Sequence, residues 1–364
     1  MISFSPREDQ QMIVTMVRQF ANDEMRKYYR ECDESGEIPD RVINTAWELG
    51  LVSSCIPEEY QGAGGEHSAL TGVLIAEELA WGDLSMALHI LCPSLVVSPV
   101  LEMGTVKQKK KYLPALCGEN FTAATAALIE PRFDFNPYKL ETKVHVDGSD
   151  FVINGEKCYV PLAANAEFIL VYAADNGNSQ GFFVEKGTPG LRIGEREKNM
   201  GIRALPTYEL VLNNCRIPRE NRLGGQGGCT FDLFMNCSRV ALAAMAVGVA
   251  RAAFEYSRDY AKERVAFGEP IAARQSIAFM LAEMAIEIES TRLMTWEAAW
   301  KIDRKEVANK EASLVKIYAD DMVLMVSDHA VQILGGHGYT REHPVELYLR
   351  NARGFTTFDG MATV

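Results

Sequence analysis

Apolar residues recur at helical spacing from early in the chain. Ile13, Val14, Met16, Val17 and Phe20 share one face at a period near 3.6, behind a Ser5-Pro6 pair that reads as a helix start. The same periodicity predicts helices over Asp40 to Leu49, Ser68 to Ala80, Ser85 to Met103 and Val106 to Leu116, and stripes of this kind are core-facing sides of packed helices. Around Phe121 the texture changes to short β-type runs. Thr142 to Val146 and Phe151 to Tyr159 flank Asp147-Gly148-Ser149-Asp150, which reads as a hairpin, and Phe168 to Ala173, Gly181 to Val184, Leu191 to Arg192 and Tyr208 to Leu212 continue the pattern. Helical texture returns after the glycine-rich turn Gly224 to Gly228 and lasts to about Arg350. The order divides the chain into a helical domain (residues 1–118), a middle β-domain (119–226) and a C-terminal helical bundle (227–364). The fold class is therefore mainly α with a central β-domain built as a compact sheet or small barrel.

Composition narrows the function classes. At 364 residues, 48% hydrophobic and 24% charged, the chain can bury a sizeable core, and no apolar run approaches the roughly 20 residues of a membrane span. A formal charge of -12 argues against nucleic acid, which rewards clustered Lys and Arg, and the one basic run, Lys107 to Lys111, reads as a solvated helix face. Eight cysteines (Cys32, Cys55, Cys92, Cys117, Cys158, Cys215, Cys229, Cys237) include no C-x-x-C pair, so neither a zinc site nor a disulfide framework is indicated. The opening MISFSPREDQ has no signal or transit character, which makes a cytoplasmic protein the expectation. No P-loop or G-x-G-x-x-G occurs, so a nucleotide cofactor would not sit in a Rossmann unit. Gly335, Gly336 and Gly338 within QILGGHGY permit close backbone approach to a ligand, and serve a helix end equally well.

Longer segments carry a resemblance. IPEEYQGAGG (Ile56 to Gly65), AEELAWGDLS (Ala76 to Ser85) and GTVKQKKKYLPALCGEN (Gly104 to Asn120) resemble the N-terminal helical domain of the FAD-dependent acyl-CoA dehydrogenases. INGEK (Ile153 to Lys157) and MGIRALPTYELVLNNCRIPRENRLG (Met200 to Gly224) resemble their β-domain. RVAFGEPIAARQSI (Arg264 to Ile277) and AVQILGGHGYTREHPVELYLRNAR (Ala330 to Arg353) resemble their C-terminal four-helix bundle. The resemblance implies FAD, an acyl-CoA substrate oxidised between Cα and Cβ, electron-transferring flavoprotein as electron acceptor, and a homotetramer or dimer whose flavin sites are shared between subunits. It implies that Arg264 and Phe267 reach the FAD of a neighbouring subunit, that Arg274 and Gln275 add flavin contacts, and that Gln332, Ile333, Leu334, Gly335 and Gly336 meet its adenosine half. Leu128 and Tyr159 fall on its flavin segments, Arg239 and Asn236 beside the substrate thioester and pantetheine, and Asp359 with Gly360 on the catalytic-base loop. A terminal helix is also implied beyond that loop, past the last of the 364 residues.

Against this pattern several positions depart. The family's L-T-E-P-x-x-G-S-D reads LIEPRFDFN, with Ile129, Phe135 and Asn136 replacing threonine, serine and aspartate, while Glu130 and Pro131 are kept. Its W-x-T reads Tyr159-Val160-Pro161, and proline offers neither hydroxyl nor N–H. The base loop Y-E-G-T reads Phe358-Asp359-Gly360-Met361, a carboxylate about 1.5 Å shorter. Relatives acting on cyclic substrates also carry aspartate there, which points to a ring or bulky acyl group. Ser238 stands at the family's other base position, leaving Asp359 as the carboxylate at either. Three readings follow: an acyl-CoA dehydrogenase, an enoyl-CoA reductase running the reaction in reverse, or a flavin-poor partner subunit that lends Arg264 and the Gln332 segment to an active homologue.

Overall fold

In the computed structural model, which describes residues 5–364, helix α1 (Glu8–Phe20) begins after Arg7, whose backbone N–H donates to the Gln10 side chain at 3.0 Å. One wide turn (Ala21–Met25) leads into α2 (Arg26–Ser35), followed by α3 (Asp40–Glu48), α4 (Ala69–Gly82), α5 (Leu84–Ile90), α6 (Ser94–Met103) and α7 (Val106–Tyr112). The single helix expected over Ser85 to Met103 is two, bent by 44°. Pro93 disfavours helical backbone in the residue before it and restarts the chain as the cap of α6.

The β-domain contains β1 (Ala124–Ala127), β2 (Lys143–Asp147), β3 (Asp150–Pro161), β4 (Phe168–Asp175), β5 (Asn178–Glu185), β6 (Leu191–Arg196) and β7 (Thr207–Pro218). They form one curled sheet in the order β1-β4-β2-β3-β7-β6, with β5 added on β4 and β1 parallel to it. The hairpin at Asp147 to Asp150 is present, pairing β2 with β3. Strand β1 was not read from the sequence because Ala-Thr-Ala-Ala is buried on both faces and has no alternation. Two register shifts bend β3 against β7, one at Gly155 and one between Lys157 and Val160, and the second puts Tyr159 at φ +53°.

Helix α8 (Phe231–Glu263) is the spine of the molecule. It packs against α4, α9 (Gln275–Asp303), α10 (Asn309–Leu334) and α12 (Val345–Gly354). A small β8–β9 hairpin (Val265–Ala266, Glu269–Pro270) follows α8, and a one-turn helix α11 (Gly336–Tyr339) follows α10. By length and composition α8 has an apolar stretch long enough to cross a membrane, which qualifies the sequence reading above, but 89% of that stretch is buried inside the protein. The Asp303 carboxylate at the end of α9 accepts from the backbone N–H groups of Ala69 and Leu70 at 2.5 and 3.1 Å, capping α4 from the bundle. The segment after α12 turns back under α8, with Phe355, Gly360 and Met361 to Val364 all buried.

Candidate active site

A cleft of about 530 Å³ opens between the β-domain and the bundle. Ile129 to Phe133, Phe135 and Pro137 line one wall with Cys158 and Tyr159; Arg239, Ser313, Lys316, Ile317 and Thr356 to Asp359 line the other. The β-domain wall is held by a buried ion pair. Lys157, fully buried, donates from Nζ to Glu130 Oε1 at 3.0 Å and to the Leu128 carbonyl at 2.9 Å. Glu130 also accepts from the N–H groups of Glu141 and Thr142, both at 2.8 Å. Burial pushes the Lys157 ammonium down to about 8, against the pull of Glu130, while Lys157 and the two N–H groups outweigh burial and hold the Glu130 carboxyl below its usual range. This bracket joins the loop before the cleft to the bulge carrying Tyr159, and it explains why Glu130 stays while Ile129, Phe135 and Asn136 depart from the family's pattern.

Opposite stands Asp359. Its Oδ1 is buried and has no hydrogen-bond partner among the described residues. Burial raises its carboxyl above the ordinary aspartate range, with the positive charges of Arg239 and Lys316 pulling the other way. A carboxylate that lines the cleft with one oxygen buried and unpartnered suits a base awaiting a proton. The loop is placed from α8: Ser238 Oγ accepts from the Gly360 N–H at 3.0 Å, so the family's two base positions lie side by side, one supplying the carboxylate and the other anchoring it. Gly360 has φ +69°, and a Cβ there would sit 2.6 Å from Leu128 Cδ2, which is why this glycine is kept. Arg239 donates to Ser313 Oγ at 2.9 Å.

The structure brings Tyr159, Arg239 and Asp359 to the cleft, with Leu128 and Gly360 packed behind it. Asn236 does not line it. Its Nδ2 donates to Asn309 Oδ1 at 2.7 Å, and the residue faces a second cavity of about 400 Å³ beside Asp303. Arg264, Phe267, Arg274, Gln275 and the Gln332 to Gly336 segment are also elsewhere. Arg264 follows the last turn of α8 and Arg239 lies in its third, so at 1.5 Å per residue about 37 Å separates them. Arg264, Gln275 and Gln332 are exposed, and no described residue pairs with their side chains. Phe267 is 96% exposed at φ +56°, with the Arg274 guanidinium 5.8 Å from its ring centre. Ile333 and Leu334 are buried under the turn, and a Cβ at Gly335 or Gly336 would meet nothing within 4 Å.

Sequence reasoning passed over Lys316, Ser313, Arg132 and Tyr138. Lys316 stands four residues before Asp320, a spacing that signals an ordinary surface pair, yet it is 9% exposed. Tyr138 is within range of Asp232, Arg239 and Asp359.

Family models for the N-terminal, middle and C-terminal domains of acyl-CoA dehydrogenase match residues 7–120, 125–215 and 225–364. The chain belongs to the acyl-CoA dehydrogenase family. It is 35% identical over 373 residues to a probable acyl-CoA dehydrogenase, YngJ, of Bacillus subtilis (strain 168), covering 100% of this chain and 97% of the relative. Among solved structures it resembles butyryl-CoA dehydrogenase from Megasphaera elsdenii (TM-score 0.89, 30% identity, 100% and 96% covered) and an FAD complex of PigA (TM-score 0.89, 26% identity, 98% and 95% covered). Membership makes the chain an FAD-dependent oxidoreductase. The residues present fit that cofactor: the cleft offers room beside Ile129 and Tyr159, and the free Arg264 guanidinium with the open glycine turn offers a cation and accessible backbone.

Proposed function

We propose that this protein is a dehydrogenase of an acyl-CoA whose acyl group is cyclic or otherwise bulky, passing its electrons to electron-transferring flavoprotein. The observation that carries the catalytic reading is the unpartnered Asp359 carboxylate in the cleft. In the reaction, the α C–H bond breaks and Asp359 takes the proton while a hydride leaves Cβ, so a double bond forms between the two carbons. FAD, when bound, supplies the acceptor for that hydride. Arg239, in the same cleft, orients the thioester end, and the Lys157–Glu130 bracket holds the facing wall. The shorter aspartate leaves about 1.5 Å of additional space, which supports a bulky acyl group.

The subunit is read as part of a homo-oligomer. The separation of Arg239 from Arg264 along α8 supports a flavin site built from two chains, Arg264 of one reaching the cleft of the other. Helix α9 exposes Phe279, Ile286 and Leu293 at intervals of seven, 60%, 62% and 41% accessible, beside Leu314, Ile317 and Tyr318 of α10. These exposed apolar side chains on adjacent helices support self-association through the bundle. The retained carboxylate weighs against a flavin-poor partner subunit, since a chain that only lent Arg264 would have no use for it.

The test is anaerobic rapid mixing of the purified, FAD-loaded protein with linear, branched and cyclic acyl-CoAs, following bleaching of the flavin band. Reduction by a ring-bearing or branched thioester faster than by linear ones is the expected outcome. Preference for linear chains would remove the bulky-substrate reading, and no reduction by any thioester would remove the dehydrogenase reading.

A further inference from the structure

Lys316 sits on α10 under the base loop with its ammonium fully engaged. Its Nζ donates to the Phe355 carbonyl at 2.8 Å and to both Asp320 oxygens at 2.8 and 2.7 Å, and the residue is 9% exposed. Phe355 follows α12 directly and is fully buried, so this contact fixes the point at which the chain leaves the helix toward Asp359. At the other end of the short loop, Ser238 holds Gly360. The carboxylate is thus carried on a segment clamped on both sides, from α10 and from α8.

We propose that Lys316 is a positioning residue for Asp359: it clamps the loop that carries the carboxylate and, with Asp320 as its counter-charge, sets how readily that carboxylate ionises. The inference rests on the reading of Asp359 as the base.

Charge around the site makes the proposal specific. From α8, Arg239 acts on Asp359, and Asp232 acts through Tyr138. From α10 come Lys316 and Asp320, with Asp321 adding a negative charge beside Asp320. From the β-domain, Arg132 is occupied by Asp134 at 2.9 Å and Glu141 at 3.2 Å, and Glu130 by Lys157. Lys316 is thus bonded to Asp320 and also exerts its positive charge on Asp359. Burial pushes the Asp320 carboxyl up to about 6, with Lys316 opposing and Asp359 reinforcing the shift. Above about pH 6, when Asp359 accepts a proton, Asp320 remains ionised to neutralise the buried ammonium.

Two neighbouring substitutions should move the base in opposite directions. Lys316→Met removes the cation, so the rising limb of flavin-reduction rate against pH shifts upward by roughly one to three units. Asp320→Asn keeps an acceptor for Nζ but removes the opposing charge, so the limb shifts downward above about pH 6, where Asp320 is otherwise ionised. Lys316→Arg keeps the charge and leaves the limb near wild type. Rates are measured with the FAD-loaded enzyme and its best thioester, while hydrogen exchange of the 355–360 amides is followed with no substrate present. Faster exchange in Lys316→Met but not in Asp320→Asn is expected. Shifts of the same sign in both variants would overturn the electrostatic half, and unchanged exchange in Lys316→Met would overturn the clamp. Should wild type reduce no flavin, the dehydrogenase reading fails by itself, and the exchange comparison still decides whether Lys316 holds the loop.

Discussion

Asp359→Asn isolates basicity from shape. The side chain keeps its size, and because Oδ1 has no partner among the described residues, no hydrogen bond seen at that atom is lost. The amide brings its own dipole into a site that burial already makes hostile to charge, so folding and thioester affinity should stay near wild type. What disappears is the proton acceptor, and general-base catalysis contributes roughly 10²–10⁴-fold. Flavin reduction at saturating acyl-CoA should fall by that factor, with the dissociation constant nearly unmoved. The pH profile gives a second reading. Burial raises the folded-state pKa of Asp359, and only the ionised form works, so the wild-type rate should rise with pH through a value above the ordinary aspartate range. Asp359→Asn should flatten that limb. Asp359→Glu restores basicity but extends the carboxylate by about 1.5 Å into a pocket adapted to the shorter side chain, and a displacement near 1 Å can cost about 100-fold. It should impair the bulky substrate and admit straight-chain thioesters. An Asp359→Asn enzyme that reduces flavin within threefold or so of wild type, with its pH limb intact, would refute the assignment of the base.

Three further outcomes follow from other parts of the structure. Arg264→Ala removes an exposed guanidinium that no described residue of its own chain engages, so flavin affinity should weaken by an amount equivalent to roughly 1.5–3 kcal/mol while far-ultraviolet circular dichroism is unchanged; equal affinity in an equilibrium dialysis would exclude a trans contact. Lys157→Met leaves the buried Glu130 carboxylate with its two backbone donors and the more distant Arg132 guanidinium at 3.9 Å, and should cost roughly 3–5 kcal/mol in denaturant unfolding, whereas a cost below about 1 kcal/mol would mean that the pair is not the bracket of the cleft wall. Ile286→Glu places a charge in the exposed seven-residue stripe of α9 and should lower the mass found by light scattering, and a wild-type monomer at micromolar concentration would remove the oligomer reading altogether.

The parts legible in the sequence were those with a period. Helical stripes in the first third and after Gly228 announced α4, α7 and the bundle, and alternation announced the hairpin of β2 and β3. Strand β1 and the break between α5 and α6 carried no such signal, one because both faces are buried, the other because apolar spacing continues across Pro93. At the site, the residues found from sequence were those with matching motif positions. Asn236 shows the limit of that route: one turn from Arg239, it is turned by its bond to Asn309 toward a different cavity. Lys316 was hidden for the opposite reason, because a Lys-Asp pair at helical spacing reads as solvated surface until the Phe355 carbonyl is seen to close over it.

The pattern of kept and altered residues has a physical logic. Glu130 and Lys157 are tied to each other and to backbone, so changing either exposes a buried charge, whether or not a flavin is present. Ile129, Phe135 and Pro161 carry no charge: Ile129 is buried in the core, Phe135 packs against it and Pro161 ends β3, so their apolar side chains meet the needs of packing without a polar partner. On the proposed reading, polar groups missing there would weaken the near half of the cofactor without unfolding the chain, each hydrogen bond being worth roughly 0.5–1.5 kcal/mol net. In the two-chain site proposed above, the far half would rest on Arg264 and the Gly335 turn of a neighbouring subunit; within one chain Arg264 lies about 37 Å along α8 from Arg239, away from the altered cleft wall. A protein so arranged should hold its flavin chiefly through the subunit contact. Cofactor loss on dilution should then track dissociation of the oligomer, and Ile129→Thr should uncouple the two by restoring a local donor.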